Sequence, residues 1–184
     1  SAASDVYKRQ ALYRGMIELA EQFGVVIVGG DTSSASLVAI TTTVLGGTQN
    51  RDKHILTRSG AKPVEKVAVT GYLGAAAAGL EMLTEKLQFA PEAATYLRQA
   101  FLRPHPRIVE GQLLVEQGVK TAIDISDGLV SDLNHICRLS QVGARIDIDR
   151  VPIEPVVKAN FGDKALELAL SGGEDYELLF TGSA

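Results

Sequence analysis

The chain has 184 residues, 46% apolar and 22% charged, enough for one good hydrophobic core or for one domain plus part of another, which excludes a disordered chain. A net charge of −4 excludes general affinity for nucleic acid, which rests on clustered Lys and Arg, so an anionic small ligand needs local groups such as helix N-termini, a few basic side chains or metal ions. The single cysteine, Cys137, excludes an internal disulfide and a Cys-rich zinc site and suits a reducing cytoplasm, while no apolar run approaches the ~20 residues of a membrane span and no leader pattern points to secretion.

Residues 11 to 23 place Leu12, Met16, Leu19, Ala20 and Phe23 at helical spacing, with Gly24 as a stop. Val25 to Val28 reads as a buried strand ending at Gly29-Gly30-Asp31-Thr32, and Leu37 to Leu45 as another, a helix–strand–strand order that suggests a mixed sheet. Around Arg58-Ser59-Gly60-Ala61-Lys62-Pro63 the composition turns polar, which places a domain junction there. A strand at Val67 to Val69 then leads into a helix of small residues from Gly74 to Leu83, and a further helix is expected from Ile108 to Gln117. Thr121 to Ile125 reads as a strand, and Leu129, Leu133, Ile136 and Cys137 return at helical spacing after it. Arg145 to Asp149 alternates like a half-buried strand, Ala165 to Leu170 is expected to be helical, and Tyr176 to Thr181 forms a final strand.

Three acidic segments stand out. In Gly29-Gly30-Asp31-Thr32 two glycines let a backbone approach a ligand beside a carboxylate, although a tight turn explains the same residues. In Asp124-Ile125-Ser126-Asp127-Gly128 an aspartate interrupts an apolar strand and a second opens a helix. Ser126 or Asp127 can serve as an N-cap, whereas a carboxylate inside a strand needs a partner, for which magnesium is suitable. Asp132, one turn into the helix, reads as a solvated or dipole-complementing acid. In Gly172-Gly173-Glu174-Asp175-Tyr176-Glu177-Leu178 consecutive acids are expected to repel one another, either in a solvated turn or while holding a cationic or hydrogen-bonding part of a substrate.

His54, His105 and His135 lack the spacing of a histidine metal site, and Cys137 reads as a small buried residue. Arg58 suits phosphate through its forked donors, but lone arginines are commonly just solvated. Walker A, His-Arg-Asp and Asp-Phe-Gly sequences are absent, so neither the P-loop nor the protein-kinase class is supported.

Taken together, Tyr13-Arg14-Gly15, Gly29-Gly30-Asp31-Thr32, Leu56-Thr57-Arg58-Ser59-Gly60-Ala61, Asp124-Ile125-Ser126-Asp127-Gly128-Leu129 and the Gly172 to Leu178 string resemble the thiamine-monophosphate kinase family, from about Ala11 to the end. The resemblance implies an α/β fold with mixed sheets, of the two-domain type shared with aminoimidazole ribonucleotide synthetase. It also implies a homodimer and an ATP- and magnesium-dependent phosphorylation of thiamine monophosphate by direct in-line transfer. Carried over by motif, it implies that Asp31, Asp124 and Asp127 bind magnesium, that Gly30, Arg58 and Ser126 contact ATP, and that Glu174 touches the thiamine substrate. No general base is implied.

The family's early Gly-Asp-Asp segment and its final stretch have no counterpart here, and residues 1–10 do not continue the pattern. The expected organisation is therefore a foreign or misjoined leader over 1–10, the remainder of an ATP-binding and dimerising N-terminal domain over 11–59, and a C-terminal α/β domain over 60–184, truncated at its end. Another ATP-using member of the superfamily and an inactive fragment are the alternatives.

Overall fold

A computed structural model describes residues 2–47 and 55–183, with side chains from residue 6 onward, and divides into two units, one ending at Gly47 and one beginning at Thr48. The first unit contains a single long helix, α1 (Ala2–Gln22), which runs without a break through residues 10 and 11 and stops at Gly24 in the left-handed region, φ 64°. The expected strands at Val25–Val28 and Leu37–Leu45 do not form: both segments are extended backbone without a ladder, and Val28 is 90% and Val38 93% exposed. The physical reason is that a strand exists only through a neighbour's hydrogen bonds, and no partner strand lies among the described residues of this unit. Between residues 6 and 47 no residue is fully buried.

In the second unit the strands are β1 (Lys66–Val69), β2 (Thr121–Asp124) and β3 (Leu178–Gly182). The last in sequence is central, in the order β1-β3-β2, and pairs antiparallel with both neighbours, so that Val69 and Ile123 both stand opposite Leu179. Parallel pairing appears at two isolated bridges, Thr57 with Thr121 and Leu73 with Ile153, which makes the architecture mixed as expected. The helices are α2 (Ala75–Thr84), α3 (Pro91–Leu102), α4 (Ile108–Glu116), α5 (Leu129–Ser140), α6 (Pro155–Phe161) and α7 (Lys164–Ser171). Of these, α3 and α6 escape the periodicity reading, although Pro91 and Pro155 at their first positions are ordinary start signals.

The core lies between the sheet face bearing Leu179 and Ile123 and the inner stripes of α2, α5 and α7. Leu129, Leu133 and Ile136 of α5 are buried in it and Cys137 packs at its margin, as the helical spacing predicts. The small residues of α2 serve close packing, since a side chain on Gly79 would run into the carbonyl of Leu97 in α3. Arg145 to Asp149 is not a strand: Ile148–Arg150 forms a 3-10 turn, Ile146 packs inward and Ile148 is exposed. Alternation alone cannot make a strand there, and the free edge of β2 is already met at its start by Thr57. Among the described residues, no helix is long and apolar enough to cross a membrane.

Candidate functional site

The two acidic motifs of the second unit lie side by side. Beyond the last regular pair of β2 and β3, Ile125 donates to the carbonyl of Glu177 at 2.8 Å, Tyr176 donates to the carbonyl of Ile125 at 2.9 Å, and Glu174 donates to the carbonyl of Ser126 at 3.0 Å. Ile125 is fully buried, so this junction is anchored from below. Glu174 and Tyr176 have φ of 69° and 50°, an uncommon backbone region for side chains with a Cβ, and such strained positions gather where a site demands them.

Two glycines allow the crossing. Gly128 has φ 106°, and a Cβ there would lie 2.9 Å from the carbonyl carbon of Ser171. At Gly173 a Cβ would collide with the carbonyl oxygen of Ser126, so Gly173 has to be glycine for the motifs to touch.

The turn sends each of the three acids of the Gly172 to Leu178 segment to a different partner, and the expected repulsion persists between Asp175 and Glu177, whose charge adds to burial in raising the Asp175 carboxyl. Glu174 is exposed and accepts the Tyr176 hydroxyl at 3.1 Å. Loss of water, that bond and the nearby charges of Glu174, Asp124 and Asp127 together push the Tyr176 hydroxyl above its usual range, which places the phenol among the acids of both motifs. Glu177 is buried, 6% exposed, and accepts from Arg107 and from Thr70. Arg107 escapes the sequence reading because a lone arginine at a helix start carries no signal of a distant buried acid.

Asp175 reaches the start of α2, accepting the amides of Gly74 at 2.7 Å and Ala76 at 3.1 Å. Gly74 offers no side-chain cap, so Asp175 caps the helix from another element. Burial pushes its carboxyl up to about 6, against the opposing pull of those amides. An unfolded aspartate titrates near ~3.9, so the stabilising contribution of its proton is full below that pH and is lost as pH rises through about 6. A carboxyl-carbon NMR titration is expected to place the Asp175 midpoint near 6. Asp175→Asn is expected to flatten the stability profile between the two values, and an ordinary midpoint for Asp175 would contradict the account.

Asp124 ends β2 half-buried, and Asp127 is exposed in the turn that follows. Asp132 is not the solvated acid of one expectation but fits the other, a dipole-complementing acid in the first turn of α5: it is 2% exposed, and its Oδ2 accepts the amides of Ser126 and Asp127, both at 3.0 Å. The fold also brings His135 to it, so that ligand atoms of Asp127, Asp132 and His135 all lie within 4.8 Å of one another. Asp124 is not part of that group. Half-buried Asp124 and exposed Asp127 carry carboxylate oxygens, the hard donor type that magnesium takes alongside water and phosphate.

The remaining residues singled out in the sequence stand elsewhere. Gly30 and Asp31 belong to the first unit, where Asp31 Oδ1 accepts the amide of Thr32 at 2.7 Å and both residues are exposed. Arg58 is exposed in a segment held at the start of β2, with Thr57 bonded to Lys120 and Ala122 and the amides of Gly60 and Ala61 bonded to Ser140. That is the opposite end of the strand from Asp124, three residues or roughly 10 Å along the backbone. His54 lies outside the described residues.

A β-strand turning into a helix through Ser126 and Asp127, crossed by the Gly172 to Leu178 segment, sits in a region that matches the AIR synthase related protein, C-terminal domain, over residues 64–183. The chain belongs to that family. Within it, the similar curated proteins are the ones the five motifs pointed to. Thiamine-monophosphate kinase of Salmonella typhimurium is 43% identical over 94% of the chain, and that of Escherichia coli K12 is 44% identical over 90%. The chain spans about half the length of these relatives, 52% and 50%.

Solved structures agree. The thiamine-monophosphate kinase of Stenotrophomonas maltophilia is 37% identical with a TM-score of 0.66, over 70% of this chain and 42% of that one. The AaThiL complex with AMPPCP and TMP is 35% identical with a TM-score of 0.65, over 71% of this chain and 43% of that one.

Proposed function

We propose that the crossing of the two motifs is one part of a thiamine-monophosphate kinase site, at which ATP phosphorylates thiamine monophosphate to thiamine diphosphate. The observation that carries this is the hydrogen-bonded contact between Ser126 and Glu174, which brings a residue assigned to ATP and a residue assigned to thiamine to adjoining backbone positions. That a similar protein has been solved with both AMPPCP and TMP supports the same pairing of ligands.

In this reading the acceptor is itself a phosphate monoester, largely dianionic near neutrality because its second pKa is about 6, so no strong general base is needed. Bringing that dianion to the γ-phosphate is the harder problem, and bound magnesium supplies charge compensation there. Asp124 and Asp127 are the residues of the second unit that would hold it, and Asp31 of the first unit is assigned to magnesium by the resemblance alone. Ser126 fixes the nucleotide edge of the turn, and Glu174, oriented by Tyr176, holds the thiamine side so that the two phosphates meet in line. Transfer is direct, without a phosphoenzyme. Gly30 and Arg58 are assigned to ATP by the resemblance alone. A cytoplasmic homodimer belongs to the same proposal.

The exposed Val25–Val28 and Leu37–Leu45 segments favour a second element of the reading, that the chain by itself is inactive until further polypeptide covers them. The test is thiamine diphosphate formation from thiamine monophosphate and Mg·ATP, comparing this chain with one extended at both ends by the corresponding segments of a full-length relative. Product only from the extended chain is the expected result. Product from neither would redirect the assignment to another ATP-using member of the superfamily, and product from both would show the added segments to be dispensable.

A further inference from the structure

Three acids follow Gly173, and only the first of them is exposed. Glu174 faces water, whereas Glu177 is buried on Arg107 and Thr70. Asp175 stands between them with both oxygens engaged, Oδ2 accepting the amide of Gly74 at 2.7 Å and Oδ1 that of Ala76 at 3.1 Å. The two residues that flank Asp175 are the strained ones, Glu174 with φ 69° and Tyr176 with φ 50°. Side chains with a Cβ stay in that region only where the surrounding structure over-determines it.

Part of that constraint is backbone. The amides of Glu174 and Tyr176 donate to Ser126 and Ile125, and Gly172 and Gly173 are packed too closely on Leu168 and Ser126 to accept a Cβ. The side-chain part is Asp175, fastened to a helix start 101 residues away in sequence. The bond also caps α2, but a cap alone does not call for a residue set between two strained positions of this segment. We propose that Asp175 is a positioning residue for the thiamine side of the site: by pinning the segment between Glu174 and Tyr176 to the start of α2, it holds Glu174 outward beside the Ser126 turn. What Glu174 meets there rests on the kinase reading, while the pinning is a property of this chain.

The pinning is read on the 184-residue chain by amide hydrogen exchange at Glu174 and Tyr176. In Asp175→Ala the protection of both amides is expected to fall about tenfold while the interior of α5 keeps its own. Asp175→Asn has the same reach and one acceptor oxygen, as good a cap, and is expected to recover most of that protection. Asp175→Glu keeps the charge but is one methylene longer, and is expected not to recover it. The consequence for substrate is read by steady-state kinetics in the chain extended at both ends. Asp175→Ala and Asp175→Glu are expected to raise the KM for thiamine monophosphate about tenfold and to leave the KM for ATP within about twofold, because the Ser126 turn is held separately by Asp132.

Unchanged protection at Glu174 and Tyr176 in a folded Asp175→Ala overturns the proposal. So does a KM for thiamine monophosphate that stays put, as for a cap that merely stabilises α2, or one that rises no more than the KM for ATP. If Asp175→Ala does not fold, Asp175→Glu against Asp175→Asn decides, and equal protection and equal KM in those two overturns the pinning. An extended parent that makes no thiamine diphosphate overturns the kinase reading, and with it the substrate assigned to Glu174, while the exchange result on the 184-residue chain still decides the pinning.

Discussion

Arg107→Ala is expected to lower the stability of the second unit by roughly 3 kcal/mol, the low end of the range for stranding one member of a buried ion pair. Glu177 sits in the interior beside β3, and its carboxylate accepts Arg107 Nε at 2.7 Å, Arg107 Nη2 and the Thr70 hydroxyl at 2.5 Å. Thr70 in turn accepts the amide of Leu178 at 2.8 Å, so the network ties the end of β1 to the start of β3. Without Arg107, a charge with 6% exposure keeps only the threonine donor. The side chain of Arg107 keeps 26% of its own surface exposed, which lets water replace part of the loss and sets the lower end of the range.

Chemical denaturation of Arg107→Ala, Arg107→Leu, Glu177→Leu and the double variant Arg107→Leu with Glu177→Leu measures this. The double change is expected to cost less than the sum of its singles, since no unpaired charge is left behind. A single Arg107→Ala within about 0.5 kcal/mol of the parent, as for an ordinary surface site, would show that water already serves Glu177.

Gly173→Ala is expected to have the largest effect on the site itself. One methyl placed against the carbonyl oxygen of Ser126 forces the Gly172 to Leu178 segment away from the turn, breaking the Glu174 bond to that same carbonyl. Overpacking of this kind costs on the order of 1–3 kcal/mol. The colliding atom is backbone, which cannot swing aside, so the upper half of that range applies. In an extended, active chain the expected result is a fall in turnover of at least tenfold from the misplacement of Glu174 against Ser126. Gly143→Ala, with nothing near the added Cβ, is the control. Activity and stability within twofold and 0.5 kcal/mol of the parent for Gly173→Ala would mean that the two motifs need not touch.

Much of the second unit was legible because its signals are local. The Leu129, Leu133, Ile136 and Cys137 spacing marks α5 wherever it is placed, and the strands at Val67–Val69, Thr121–Ile125 and Tyr176–Thr181 fall within two residues of the observed β1, β2 and β3. The failures share one cause. Val25–Val28, Leu37–Leu45 and Arg145–Asp149 have strand composition, but composition says nothing of whether a neighbour offers its hydrogen bonds.

The acidic segments show the same division at the level of the site. Glycine pairs, a carboxylate at a strand end and the order of five motifs are properties of the chain itself, and they sufficed to point to the family because their chemistry depends on residue type and spacing. Which acid is solvated and which is buried depends on what stands across from it. Asp132 looks like any surface acid on a helix until Ser126 and Asp127 fold over it, and Glu177 looks like one more repelling charge until Arg107 arrives from 70 residues away. The price of removing a charge from water is settled by partners distant in sequence, and for that reason only the tertiary structure decided the roles of Asp132, Asp175 and Glu177.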